Sequence, residues 1–290
     1  MVGKQIISQC LEQNIKVHFL TTSKKKLSED AMVKGYYWNP AKGEIDKACF
    51  EGVDYVINLA GATIAKRWTN SYKEEVLLSR INSLQTLENG LKETKTHVKS
   101  IVSASAIGVY PNSLTNYYEE TEREVDNSFL GEVVVAWEKA AKSLSGYTKN
   151  LSIIRIGLVL DGEEGALPKL VQPIKLGIGA AFGSGEQWQS WIHINDLASM
   201  FLFCALQGLN GVYNGVAPNP VSNAKMVKEI ASILNKPLWL PNIPSAMLKV
   251  LLGEMSYVLL ASQRVSSKKI EEEGFRFRFA SLQPALTGLL

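Results

Sequence analysis

Cysteine is scarce in this sequence: Cys10, Cys49 and Cys204 are the only three among 290 residues. Their odd number and wide spacing exclude a disulfide framework and a zinc-binding pattern, and their apolar neighbours predict buried free thiols in a reducing, cytoplasmic setting. Histidine is equally scarce. His18, His97 and His193 stand far apart, no cluster has metal-ligand spacing, and no metal is expected. Charge of one sign is not in excess, since 31 Lys and Arg face 28 Asp and Glu for a net charge of +3. The lysines are spread over helix faces without interleaved aromatics, which argues against a nucleic-acid partner. Long apolar runs are missing too. The nearest one, PSAMLKVLLGEMSYVLLAS at 244–262, is interrupted by Lys249, Gly253 and Glu254. It is too broken to span a bilayer and reads as a buried or amphipathic helix, with an interfacial or dimer-forming helix as the alternative. The first residues lack the apolar core and cleavage site of a signal peptide.

What remains is an ordinary globular composition, 46% hydrophobic and 20% charged. In the opening stretch MVGKQIISQCLEQNIKVHFLTT, Ile6, Ile7, Cys10 and Leu11 share a helical face, and Val17, Phe19 and Leu20 then form a strand-like run. Further strand-like runs are VDYVINLAG (53–61), KSIVSASAIG (99–108) and LSIIRIGLVL (151–160), separated by helix-period segments at 69–93 and 129–145. Apolar strands alternating with helices predict an α/β, doubly wound parallel sheet of Rossmann-like NAD(P)-binding type. Beyond residue 160 the pattern loosens, with helices expected near 195–207, 222–234 and 244–261, a strand at GVYNGVA, and a terminal GFRFRFASLQPALTGLL read as an alternating strand followed by a helix. The expected division is a nucleotide-binding part at 1–165, a mixed segment completing the sheet and cleft at 166–237, and a small C-terminal α+β region at 238–290.

Ligands of such sheets lie outside the carboxyl ends of the strands, here where the loops NLAGATIAKRW and SASAIGVYP begin. A dinucleotide site also needs a strand and a glycine turn ahead of a helix N-terminus. Only Gly3 matches such a turn, either as its last glycine or as a terminal residue without that role. If the strand before it is absent, the sheet should show a gap at its centre.

NLAG (58–61), SASAIGVY (103–110), FLGEVVVAWEKAA (129–141), IIRIGLVL (153–160) and GSGEQWQSWIHINDLA (183–198), in this order, resemble the extended short-chain dehydrogenase/reductase superfamily, in its branch of nucleoside-diphosphate-sugar epimerases. The closing GFRFRFASLQPALTGLL is similar to the small C-terminal domain of that branch. Against this pattern the chain looks N-terminally truncated, starting inside the glycine turn. The resemblance implies a nicotinamide cofactor and a small-molecule substrate, with a nucleotide sugar as the class and a homodimer as a possible assembly. The second strand ends in LTTSKKKL with no acid between residues 17 and 28, which favours NADP over NAD and assigns Thr22 and Lys24 to the 2′-phosphate side. A solvated lysine run is the competing reading. Gly3, Asn58, Leu59, Ala60, Gly61, Ser103, Arg155 and Gly157 are assigned to the cofactor groove.

The superfamily's catalysis implies a serine with a Tyr-x-x-x-Lys pair. Ser105 matches the serine, but no tyrosine in the chain has lysine four residues later, and the expected helix carries Leu130 and Val134 there. Tyr110 is the substitute proton donor to consider, with a packing role as its alternative. Glu138 and Lys139 read as a helix-face carboxylate and a solvated lysine. Arg67, Gln187, Trp191 and His193 are assigned to the substrate side; Arg67 reads equally as a surface arginine, and His193 with Asp196 as groove-ordering residues. Two functions follow: an NADP-dependent epimerase or reductase, and an NADP(H)-binding sensor or scaffold without turnover. A structural partner protein is a third, resting only on the apolar 244–261 helix.

Overall fold

The computed structural model describes residues 1–290. In chain order its elements are α1 (Val2–Glu12), β1 (Val17–Thr21), β2 (Val33–Asn39), β3 (Glu44–Ile45), β4 (Tyr55–Asn58), α2 (Asn70–Thr94), β5 (Val98–Ala106), β6 (Tyr117–Tyr118), α3 (Phe129–Lys142), β7 (Thr148–Ile156) and β8 (Leu158–Leu160). They continue with α4 (Leu167–Lys175), β9 (Trp188–Gln189), β10 (Trp191–His193), α5 (Ile194–Gln207), β11 (Gly211–Gly215), β12 (Val221–Ser222), α6 (Asn223–Ile233), α7 (Ser245–Leu252), α8 (Tyr257–Leu260), β13 (Arg264–Val265), α9 (Lys268–Glu272) and α10 (Leu282–Thr287).

The expected parallel architecture is present, and so is the gap. Strands β11, β7, β5 and β4 form one parallel sheet in that order, while β1 and β2 pair in parallel in a second sheet that ends on β3. No ladder joins β1 to β4. Both sheets nevertheless share one core, in which Ile6 and Cys10 of α1 and Tyr36 and Trp38 of β2 pack with Ile101 and Val102 of β5. The near-continuous burial of β5 and β7 is what strands covered on both faces require. All three cysteines are free and buried.

The helices begin and end where local chemistry directs. Thr69 caps α2 by accepting from the Tyr72 amide, Ser128 caps α3, and α5 closes on Gly208 in the left-handed region at φ +63°. Three sequence expectations are corrected. The run 151–160 divides at Gly157, and its second part pairs with β10 in a separate sheet. A Cβ at Gly157 would lie 2.1 Å from the Ser190 carbonyl oxygen, so only glycine permits this crossing. The 244–261 helix is interrupted at Gly253 and buries Leu248 in its first part while leaving Met247, Val250 and Leu251 exposed. Finally, GFRFRF forms no strand. Phe275 enters the main core, and the Arg278 and Phe279 amides donate to the Asp196 carboxylate at 3.0 and 2.9 Å instead of to a ladder. No helix is long and apolar enough to cross a membrane.

Candidate functional site

The carboxyl ends of β4 and β5 position the candidate cleft. Asn58, last in β4, is buried; its Oδ1 accepts from the Ala60 amide at 3.3 Å, while its Nδ2 has no partner. Leu59 and Ala60 are half-buried and Gly61 is exposed. A Cβ on Gly3, in the first turn of α1, would stand 3.6 Å from Leu59 Cδ1, so the helix N-terminus and the Asn58–Gly61 loop are neighbours. The first turn of α1 has no side-chain cap. Beside it the Glu164 carboxylate accepts from the Met1 ammonium at 3.0 Å and from Lys4 Nζ at 2.8 Å. At the end of β1, Thr22 and Lys24 are exposed, with the Lys24 ammonium 5.4 Å from the Tyr37 ring centroid. Arg67 is exposed on the loop leading to α2.

Behind this edge lies a buried polar chain. Ser105 donates to Glu138 Oε1 at 2.8 Å, and Arg155 grips the same carboxylate with Nε at 2.8 Å and Nη2 at 3.0 Å. The remaining arm of Arg155 donates to the Tyr110 hydroxyl at 3.0 Å, and Tyr110 donates in turn to Asn214 Oδ1 at 2.7 Å. The Asn214 amide nitrogens reach the Glu120 carboxylate and the Ser266 carbonyl. Each donor is matched by an acceptor, which is what makes such a chain tolerable in a low-dielectric interior.

This arrangement corrects several sequence assignments. Ser105 is 2% exposed and its only proton is directed at Glu138. Tyr110 is 1% exposed, its ring stacks on Tyr118, and burial pushes its hydroxyl up to about 12. Both hydroxyls are covered and committed to protein partners. Arg155 spends its guanidinium on protein partners, Ser103 is buried with its hydroxyl on the Ala104 carbonyl, and Gly157 is a packing glycine. Glu138 is no solvated helix-face carboxylate. Gln187 is buried and donates to the Phe182 and Leu259 carbonyls, and Trp191 lies wholly within the second core with Nε1 on the Asn219 carbonyl. The sequence reading placed Glu138 on a solvated face and passed over Asn214 and Arg80. An acid set among Val133, Val134, Trp137 and Ala141 is the one local signal that marks Glu138 as a buried, partnered charge.

His193 caps α5, accepting from the Asn195 amide at 3.1 Å, and its ring stacks on Phe279 with centroids 3.9 Å apart. Together with Asp196 it fastens the C-terminal segment. Burial, aided by the nearby Arg278 charge, pushes the imidazole down to about 4. Between that value and the ordinary 6.5 the unfolded chain binds a proton that the native protein refuses, so stability falls as pH drops through this window. His193→Asn keeps a capping acceptor and removes the titration. Urea midpoints measured from pH 7 to pH 4 are expected to fall less steeply in that variant, and identical slopes would refute the assignment.

Parallel strands with helices between them, and a helix N-terminus beside a small-residue loop, define an α/β protein of Rossmann-like type. The comparisons make the family specific: residues 1–215 match the NAD dependent epimerase/dehydratase family and residues 243–289 match a domain of unknown function, DUF1731. The chain belongs to that epimerase/dehydratase family. An epimerase family protein of Staphylococcus aureus is 36% identical over 293 residues, covering 100% of this chain and 96% of the relative. Epimerase family protein YfhF of Bacillus subtilis is 33% identical, covering 100% and 94%. Among solved structures, human epimerase family protein SDR39U1 (isoform 2) with NADPH is similar at a TM-score of 0.86 and 26% identity, covering 100% of this chain and 95% of that one. UDP-glucose 4-epimerase of Thermotoga maritima with UDP-glucose shares the fold at a TM-score of 0.75 and 17% identity.

Proposed function

We propose that the protein binds a nicotinamide dinucleotide, NADP(H) in preference to NAD(H), and does not carry out the tyrosine-assisted hydride chemistry of the superfamily. The uncapped α1 N-terminus would hold the pyrophosphate, the Asn58–Gly61 loop would line the adjoining ribose, and Thr22 and Lys24 would meet the 2′-phosphate. The unpartnered Asn58 Nδ2 and the Gly3–Leu59 contact support this fit. The nicotinamide, when bound, supplies or accepts a hydride. The observation carrying the proposal is that Ser105 and Tyr110 are covered, with their protons committed to Glu138 and Asn214. Fluorescence titration with NADPH is expected to show binding, and a panel of nucleotide sugars is expected to leave the nicotinamide absorbance unchanged. Turnover of any panel member would refute the non-catalytic reading.

The second reading, an NADP-dependent epimerase or reductase acting on a nucleotide sugar, is favoured by family membership and by similar structures that hold a nicotinamide cofactor or a UDP-sugar. It requires a proton donor other than Tyr110.

Lys24 provides a separate check on cofactor choice. Lys24→Glu is expected to weaken NADPH binding about tenfold, as the loss of one charge-assisted phosphate contact implies, and to leave NADH binding nearly unchanged. Equal effects on both cofactors would return Lys24 to a solvated turn.

A further inference from the structure

Arg80 is a half-buried cation without a counter-charge. It projects from the middle of α2, stacks on the Trp137 ring of α3 at 4.7 Å, and uses a single nitrogen, Nη1, to donate to the Val76 carbonyl at 2.8 Å and the Ala62 carbonyl at 3.2 Å. Nε is buried with no acceptor, Nη2 has no protein partner, and no carboxylate forms an ion pair with the group. Burial pulls it down to about 10, which leaves it charged at neutral pH. Arg155 shows the contrast, since its burial is matched by both oxygens of Glu138. A half-buried guanidinium whose Nε has no acceptor is costly unless something else completes it.

Arg80 stands beside the Asn58–Gly61 loop. A Cβ on Gly61 would stand 3.1 Å from Arg80 Cζ, so glycine there leaves room for the guanidinium against the loop. Two residues earlier the same loop touches the α1 N-terminus through Leu59 and Gly3. The two bonds on Nη1 leave Nη2 free to donate to an oxygen of a carboxylate or phosphate, while Nε is buried without an acceptor.

We propose that Arg80 is an oxyanion-binding residue of the cleft, donating through Nη2 to a phosphate or carboxylate of a ligand lying against the Asn58–Gly61 loop. The assignment rests on that loop lining a ligand site. The anion has two sources, the cofactor's pyrophosphate or an anionic group on a second ligand.

The test uses the full chain as wild type, Arg80→Gln and Arg80→Lys, each checked for folding by urea denaturation. Probes are NADPH, inorganic pyrophosphate as a competitor, and uridine diphosphate added to NADPH-loaded protein. If the cofactor supplies the anion, Arg80→Gln weakens NADPH about tenfold, lowers the salt dependence of binding, and removes competition by pyrophosphate. If a second ligand supplies it, NADPH affinity holds and uridine diphosphate binding falls about tenfold. Arg80→Lys keeps the charge but loses the guanidinium geometry, so it gives an intermediate loss, and it decides the matter should the glutamine variant not fold. Unchanged affinity for every probe in a folded variant overturns the proposal alone. A wild-type protein that binds none of the probes overturns both the cleft assignment and this one.

Discussion

Glu138→Ala is expected to destabilise the protein by about 3–5 kcal/mol, the usual cost of removing one partner from a buried ion pair. The Glu138 side chain is 8% exposed and that of Arg155 is 10% exposed, so water cannot replace the lost carboxylate. Ser105 would lose its acceptor, and Arg155 would be left with the Tyr110 hydroxyl alone. Removing both charges should cost less than removing one. A Glu138→Leu, Arg155→Met double variant is expected to be more stable than Glu138→Ala, because no desolvated charge remains unpaired. Urea denaturation midpoints across this set give the comparison. A loss under about 1 kcal/mol for Glu138→Ala would mean that the pair is solvated and that Ser105 is accessible, reopening its catalytic role.

Trp191→Ala is expected to cost about 3–5 kcal/mol as well, through the transfer and cavity terms of deleting a large core side chain. Trp191 is fully buried against Leu160, Leu167 and Met226, and its indole nitrogen satisfies the Asn219 carbonyl. Trp191→Phe keeps much of the volume and should cost less, leaving one carbonyl without its donor. Thermal unfolding separates the two variants, and NADPH affinity measured at low temperature should be unaffected in the phenylalanine variant. A stable Trp191→Ala protein with impaired ligand binding would restore the substrate-side assignment.

How far the site can be read in advance depends on how local its chemistry is. The strand-to-loop transition at Asn58–Gly61 was legible because small residues and a glycine follow an apolar strand there. The break expected between β1 and β4 is present, since no ladder joins them. Gly157 misled because a glycine within an apolar run signals a close approach without saying to what. Here it approaches the Ser190 carbonyl, not a ligand. GFRFRF misled because its alternation fits a strand, while the acceptor for its amides turned out to be the side chain of Asp196.

The α/β class, the order of its units and the cleft-lining loops followed from the sequence by itself, since hydrophobic periodicity and turn residues act over a few positions. Whether Ser105 and Tyr110 are available to a ligand was decided only in three dimensions. Ser105 gives its proton to a residue 33 positions away and Tyr110 to one 104 positions away. Arg80 too stands beside a loop 18 residues back along the chain. A hydroxyl's or guanidinium's function depends on which acceptors reach it and whether water does, and long-range packing sets both.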